Sequence, residues 1–346
     1  MGADIWRFPA EWEQQQAVLL CFPHNGNDWP GKYGAIQWAF VEFIKKVADV
    51  EQVILLVASE QLKTNVLEKL EMADVKTKNV SFIIQKTNRS WMRDSGPIIV
   101  KKGSERKALN FNFNGWAKYN NYKLDKQVPE RIASFLNIPL DQVTYKGKPV
   151  VLEGGAIDVN GKGTLITTEE CLLDTKIQVR NEGFTKADYE AIFKEHLGIT
   201  NTIWLGDGVE GDDTHGHVDD LARFVNEDTI ITVVETDTNN PNYKPLQDNL
   251  QRLKNAKLEN GKKPNIVTLP MPNRLNFDGI SLPASYANFL IINSVVLVPT
   301  FNDERDREAL NSIADCFPDR KIIGISAIDF IWGFGTLHCL SQQIPQ

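Results

Sequence analysis

Cys339 lies seven residues from the C-terminus in Gly333-Phe-Gly-Thr-Leu-His-Cys-Leu-Ser-Gln-Gln, where glycines allow close backbone approach. A thiol attacks as its thiolate, which a nearby positive charge or backbone donors must stabilise. Cys339 is therefore a candidate nucleophile; the competing reading is a hairpin turn that closes the last strand. His217 and Asp219 alternate in Gly216-His-Val-Asp, so an extended segment would aim both at one face. Imidazole is the commonest general acid and base near neutral pH. The alternative is an acidic surface loop, with Glu210, Asp212, Asp213 and Asp220 nearby. In Ser90-Trp-Met-Arg-Asp-Ser-Gly-Pro, Trp91 and Asp94 pair an aromatic face with a carboxylate, a combination suited to a planar cation. A surface Arg93–Asp94 pair beside a core tryptophan is the plainer version. Glu153, between Val150-Val-Leu and Gly154-Gly155, is a further acid that either joins the site or solvates a turn. Carboxylates, one imidazole and one thiol together point to chemistry on a cationic carbon.

Composition narrows the partners. The 346 residues are 42% hydrophobic and 24% charged, with a formal net charge of −7. This is a globular balance, long enough for one large core. The negative charge argues against a nucleic-acid partner and suits a small cation. No P-loop G-x-x-x-x-G-K-[ST] occurs, and no nucleotide cofactor is expected. Cys21, Cys171, Cys316 and Cys339 lack paired C-x-x-C spacing, so no metal is expected either. Cys21 and Cys316 read as core residues, while Cys171, between Glu169-Glu and Leu172-Leu, reads either way. With no export signal, lipidation motif or apolar run of spanning length, the expectation is a cytoplasmic protein with no membrane partner. No Pro/Gly/Ser-rich linker divides residues 1–346, which predicts a single domain. A homo-oligomer is compatible with the sequence, which does not specify one.

These side chains must be positioned by regular elements. Apolar periodicity predicts helices over 33–47, 61–72, 124–136, 186–197, 245–256 and 303–314. In the fourth, Thr185 is a natural cap, Asp188 suits the positive end, and Tyr189, Ile192, Phe193 and Leu197 form one face. Strands are predicted at 53–57, 80–84, 98–100, 109–113, 202–205, 229–234 and 266–269. A hairpin joins Ala156-Ile-Asp-Val to Thr164-Leu-Ile-Thr-Thr through Asn160-Gly-Lys-Gly. Five of the helices recur about every 60 residues, which favours a ring of α/β modules over the alternative of a doubly wound open sheet.

The motifs in their order resemble the agmatine deiminase and bacterial-type peptidylarginine deiminase family. They are Pro9-Ala-Glu-Trp-Glu, Trp91-Met-Arg-Asp-Ser-Gly-Pro, Phe111-Asn-Phe-Asn-Gly-Trp, Leu152-Glu-Gly-Gly-Ala-Ile, Gly163-Thr-Leu-Ile-Thr-Thr-Glu-Glu-Cys-Leu-Leu, Gly211-Asp-Asp-Thr-His-Gly-His-Val-Asp, Ser285-Tyr-Ala-Asn-Phe and His338-Cys-Leu-Ser-Gln-Gln. The resemblance implies a five-bladed α/β propeller of pseudo-symmetric ββαβ modules around a central active site. It implies Cys339 as nucleophile, His217 as acid and base, Glu153 as the carboxylate orienting that histidine, Asp94 and Asp219 as the guanidinium grip, and Trp91 as a wall of the slot. The implied reaction is hydrolytic deimination of a small cationic guanidine through a covalent amidino-cysteine, without metal or cofactor. Agmatine is favoured over peptidyl-arginine and free arginine, and a non-catalytic binding protein on the same scaffold is the other class. Four departures mark this chain: Phe334 interrupts the glycine-rich stretch, Ser341 replaces a threonine, His215 replaces an acid or amide, and the Gln14 and Cys21 segments differ.

Overall fold

The structure, a computed structural model, describes residues 5–346; residues 1–4, which carry part of the lipidation reading, lie outside them. Local chemistry sets the helices as expected. At Lys186–Ile192 the Thr185 hydroxyl accepts from the Asp188 N–H, and the Asp188 carboxylate accepts from the Thr185 N–H at 2.9 Å, a complete capping box. Tyr189, Ile192, Phe193 and Leu197 are all buried, and left-handed Gly198 ends the run. Tyr33–Ala48 likewise buries Ile36, Phe40, Phe43, Ile44 and Val47 along one face. The last predicted helix starts three residues later and ends two later than expected, at Asp306–Cys316, and leaves Cys316 only half-buried. There its thiol reaches the Ser312 carbonyl at 3.3 Å.

The fold is α/β, and one strand pattern recurs. A short strand pairs antiparallel with the next, a helix crosses over, and a third strand pairs parallel with the middle one. Ile98–Lys102, Glu105–Asn110 and Leu140–Gln142 form one such sheet. Asp158–Val159, Thr164–Thr168 and Asn201–Leu205 form the second, containing the expected hairpin. Ala222–Phe224, Thr229–Val234 and Asn265–Pro270 follow, then Leu290–Ile292, Val295–Thr300 and Lys321–Ser326. The fifth is assembled from both ends of the chain: Ser341–Pro345 lies antiparallel to Gln15–Cys21, beside parallel Gln52–Val57 and Val80–Ile84. The strand expected at 109–113 instead ends at Asn110. Phe111 and Phe113 turn into the core, leaving only an Asn112–Val151 bridge.

Among the described residues, no helix is long and apolar enough to cross a membrane. Ile344 in the final strand is fully buried and pairs with Ala17, so it holds the two ends of the chain together. Ile344→Ala is expected to cost about 2–5 kcal/mol of stability. Urea unfolding checks this: the midpoint falls while the slope is unchanged.

Candidate functional site

The predicted residues are carried by turns that feed the first strand of each sheet. Met92–Ser95 precedes Ile98–Lys102, Gly154–Ala156 precedes Asp158–Val159, and Val218–Asp220 precedes Ala222–Phe224. Ser285–Asn288 leads into Leu290–Ile292, and the turn at 336–340 leads into Ser341–Pro345. Asp94, Glu153, Asp219, Asn288 and Cys339 are thus delivered from equivalent places, and every one of them is buried.

His217 and Asp219 do not share an extended segment. His217 is extended, and the chain then tightens into a single 3-10 turn in which the Leu221 N–H returns to the Val218 carbonyl at 2.9 Å. The turn sends the two side chains to different neighbours. His217 lies between Asp94, at 3.8 Å from Nδ1, and Glu153, at 3.9 Å from Nε2, and neither ring nitrogen has a hydrogen-bond partner. The acidic loop also contributes to placing it, because the Asp212 carboxylate accepts from the Gly216 and His217 N–H groups at 2.8 and 2.9 Å. Gly155 must be glycine here: a Cβ would lie 2.5 Å from His217 Nδ1 and 3.0 Å from Asp94 Oδ1.

Neutral donors hold Asp94. The Trp116 indole donates to Oδ2 at 2.8 Å and the Gly155 N–H donates to Oδ1 at 3.1 Å. Burial pushes its carboxyl up to about 6 against the opposing charge of His217. Glu153 is fully buried too, but Arg180 donates to it at 3.1 Å. Burial alone would raise it, yet Arg180 and His217 outweigh burial and bring it down to about 2. For His217, burial favours the neutral ring, but Asp94, followed by Cys171 and Glu153, raises it well above its ordinary value. The surface readings of Arg93, Asp94 and Glu153 therefore fail, since none of the three is solvated.

Asp219 Oδ2 accepts from His338 Nδ1 at 2.7 Å and lies 3.5 Å from the Cys339 sulfur, while Oδ1 is buried with no partner. Burial would raise Asp219, but His338 outweighs it and the net shift is downward. The Asn288 amide donates to Cys339 Sγ at 3.0 Å, and its oxygen accepts from Thr336 Oγ1 and the His338 N–H. Burial, then Asp219, Asp220 and Asp94, push the Cys339 thiol well above its ordinary value. Without a bound cation it is a thiol.

Cys339 and Asp94 open on a cavity of about 370 Å³ lined also by Trp91, Trp116, Phe334 and Asp28. Trp91 stacks on Trp29 with ring centroids 5.5 Å apart. Gly335 lets the turn lie flat on this wall, since a Cβ there would meet Trp91 at 2.7 Å and the Cys339 Cβ at 3.0 Å. Phe334 occupies the left-handed region at φ 69°, a conformation that favours glycine. His215 is elsewhere, within 2.6 Å of Asp174 and 3.4 Å of Glu170 in a separate acidic cleft. Cys171 is buried, its sulfur within 4.8 Å of ligand atoms of His217 and Glu153, and Asp219, Asp220 and Cys339 form a second close group. Arg180 already supplies the positive charge that Glu153 needs in the first group.

Sequence reading missed Asn288, His338, Trp116, Glu11 and Arg180 as members of the site. The first four lie inside the quoted motifs, whereas Arg180 carries no local signal.

The chain is similar to solved agmatine deiminases over nearly its whole length. A C. jejuni agmatine deiminase with substrate bound is 32% identical, with TM-score 0.88 over 99% of this chain and 97% of the other. An Enterococcus faecalis agmatine deiminase is 30% identical, with TM-score 0.90 over 99% and 96%. An amidinotransferase from Microseira wollei shares the fold at 11% identity and TM-score 0.55. A family model described as Porphyromonas-type peptidyl-arginine deiminase matches residues 7–345. With a buried thiol and the Asp94 carboxylate opening on one cavity, His217 buried beside Asp94, and this match across the chain, the protein belongs to the Porphyromonas-type peptidyl-arginine deiminase family.

Proposed function

We propose that this chain hydrolyses agmatine to N-carbamoylputrescine and ammonia within one catalytic domain spanning residues 1–346. The observation that carries the reading is the unfilled chemistry beside Cys339. Asp219 Oδ1 is a buried acceptor without a donor, Asp94 is a buried carboxylate hydrogen-bonded only by neutral donors, with His217 3.8 Å away, and both lie near the thiol. A guanidinium supplies the donors and the charge together. The naming of its solved relatives as agmatine deiminases supports the same substrate. The five recurring sheets, the last closed by the first and final strands, support a five-bladed α/β propeller around the site. The absence of a spanning helix among the described residues fits a cytoplasmic enzyme.

In this mechanism Asp94 and Asp219 hold the guanidinium with its carbon facing Cys339, and Trp91 walls the slot. The substrate's charge offsets the carboxylates that keep the thiol protonated, and the released proton leaves to solvent. The thiolate adds to the carbon, forming a C–S bond and a tetrahedral adduct. His217 donates its proton to the departing nitrogen, the C–N bond breaks, and ammonia leaves an amidino-cysteine. His217, now neutral and oriented by Glu153, takes a proton from water. Hydroxide adds, the C–S bond breaks, and the ureido product and thiol are regenerated.

Cys339→Ala is expected to lower ammonia and ureido release from agmatine by at least about a thousandfold. Equal release by both proteins would refute the covalent route, and a guanidine panel read the same way would show whether peptidyl-arginine is preferred. Because Asp94 must be ionised to hold the cation, kcat/KM is expected to fall as pH drops through about 6. A pH profile with its acid limb near the ordinary carboxylate value of about 4 would remove Asp94 from this role. Phe334→Gly relieves the left-handed strain, so Tm is expected to rise, while lost contact in the cavity raises KM for agmatine about tenfold. Calorimetry and steady-state kinetics on one preparation test both halves.

A further inference from the structure

Asp28 lines the same cavity as Cys339 and Asp94, on a segment the mechanism does not use. Its side chain is only 3% exposed. Oδ1 accepts from Arg89 Nη1 at 2.7 Å and from the Asn25 amide at 3.5 Å, whereas Oδ2 is buried with no hydrogen-bond partner. A carboxylate oxygen withdrawn from water without a donor is costly and rare in native proteins, which marks a place for a missing partner. Arg89 cannot fill it. One of its terminal nitrogens is committed to Asp28 Oδ1, the other reaches Asn121 at 3.3 Å, and the guanidinium lies 4.1 Å over the Tyr119 ring. Burial pushes the Asp28 carboxyl up to about 6 despite Arg89. Its negative charge is only partly compensated in the free protein.

The cavity runs from the buried Cys339 and Asp94 to a rim bearing exposed Asn27, Asn121 and Ile280, with Asp28 and Arg89 beside that rim. A substrate whose guanidinium occupies the inner end therefore presents its opposite end to Asp28. We propose that Asp28 Oδ2 accepts a hydrogen bond from a primary ammonium at the far end of the substrate, making Asp28 the residue that selects an aminoalkylguanidine over a neutral alkylguanidine. This rests on the reading of the chain as a deiminase of agmatine. Free arginine adds a carboxylate at that end, which Asp28 repels and Arg89, whose Nε also lacks a partner, attracts; on this proposal the repulsion makes it the poorer substrate.

The test compares agmatine with pentylguanidine, in which a methyl group replaces the ammonium. Asp28→Asn is expected to lower kcat/KM for agmatine by about 10- to 100-fold and to change pentylguanidine by less than about twofold. Asp28→Glu, which keeps the charge, is expected to restore part of the agmatine preference. Equal losses on both substrates would show that Asp28 acts only by holding Arg89, and would overturn the inference. So would an unchanged agmatine value, or free arginine preferred by the wild type. Calorimetric titration of both guanidines into Cys339→Ala, with and without Asp28→Asn, separates this from turnover. If agmatine binds equally to both proteins, the subsite is wrong whatever the wild type catalyses. If Asp28→Asn weakens agmatine alone, the subsite stands even where wild-type turnover is absent and the deiminase reading fails.

Discussion

The structure depends on the Glu11 carboxylate. It accepts from Arg223 at 2.6 Å and from His338 at 2.9 Å, and Arg93 lies 4.0 Å away, all out of contact with water. Its other oxygen accepts the Ile291 N–H at 2.7 Å. One side chain from the start of the chain thus ties together the sheets that begin near 98, 222, 290 and 341. Burial would raise Glu11, but Arg223 and then His338 outweigh it and bring it far below the ordinary carboxylate range. Such a pair is stable only when all its members are present, since removing one leaves a buried charge and costs about 3–5 kcal/mol. His338 passes this constraint to the site, because its other nitrogen holds Asp219 and the next residue is Cys339.

For three of the buried acids a basic partner outweighs burial. Glu11 has Arg223, Glu153 has Arg180, and Asp219 has His338; all three are pulled down. Asp94 has only an indole and a backbone amide as donors, and it is pushed up. Asp220, bonded to the Asn288 amide at 3.0 Å, is also raised. On the proposed function, Asp94 belongs to the substrate, whose guanidinium completes the charge pairing that the chain leaves open.

Much of this was legible in local sequence because it is local physics. The capping box at Thr185, the hairpin around Asn160-Gly-Lys-Gly and the helical faces each depend on residues within a turn or two of one another. The candidate thiol, imidazole and carboxylates were found by type and motif, and all are brought into one buried region. What stayed hidden depends on distant partners. Arg180 matters only because Glu153 lies 27 positions away in sequence, and Asn288 only because Cys339 lies 51 away. Alternation at 217 and 219 suggested a strand, but the 3-10 turn places His217 and Asp219 toward different neighbours. Cys171, which the sequence left open, is buried, with its sulfur close to the His217 and Glu153 pair.

The same arrangement makes reactivity conditional on the substrate. Asp219, Asp220 and Asp94 surround Cys339 with negative charge, and burial adds to their effect, so the unliganded sulfur keeps its proton. On the proposed mechanism, a guanidinium bound between Asp94 and Asp219 cancels part of that field, and its favourable interaction with the thiolate equals, by linkage, the drop it causes in the thiol's affinity for a proton. A neutral molecule of similar shape brings no such drop and meets a thiol. On that mechanism, selectivity for a cation enters twice, once in binding and once in making the nucleophile. The Asn288 amide donates to that sulfur at 3.0 Å, a hydrogen bond that favours the thiolate once it forms.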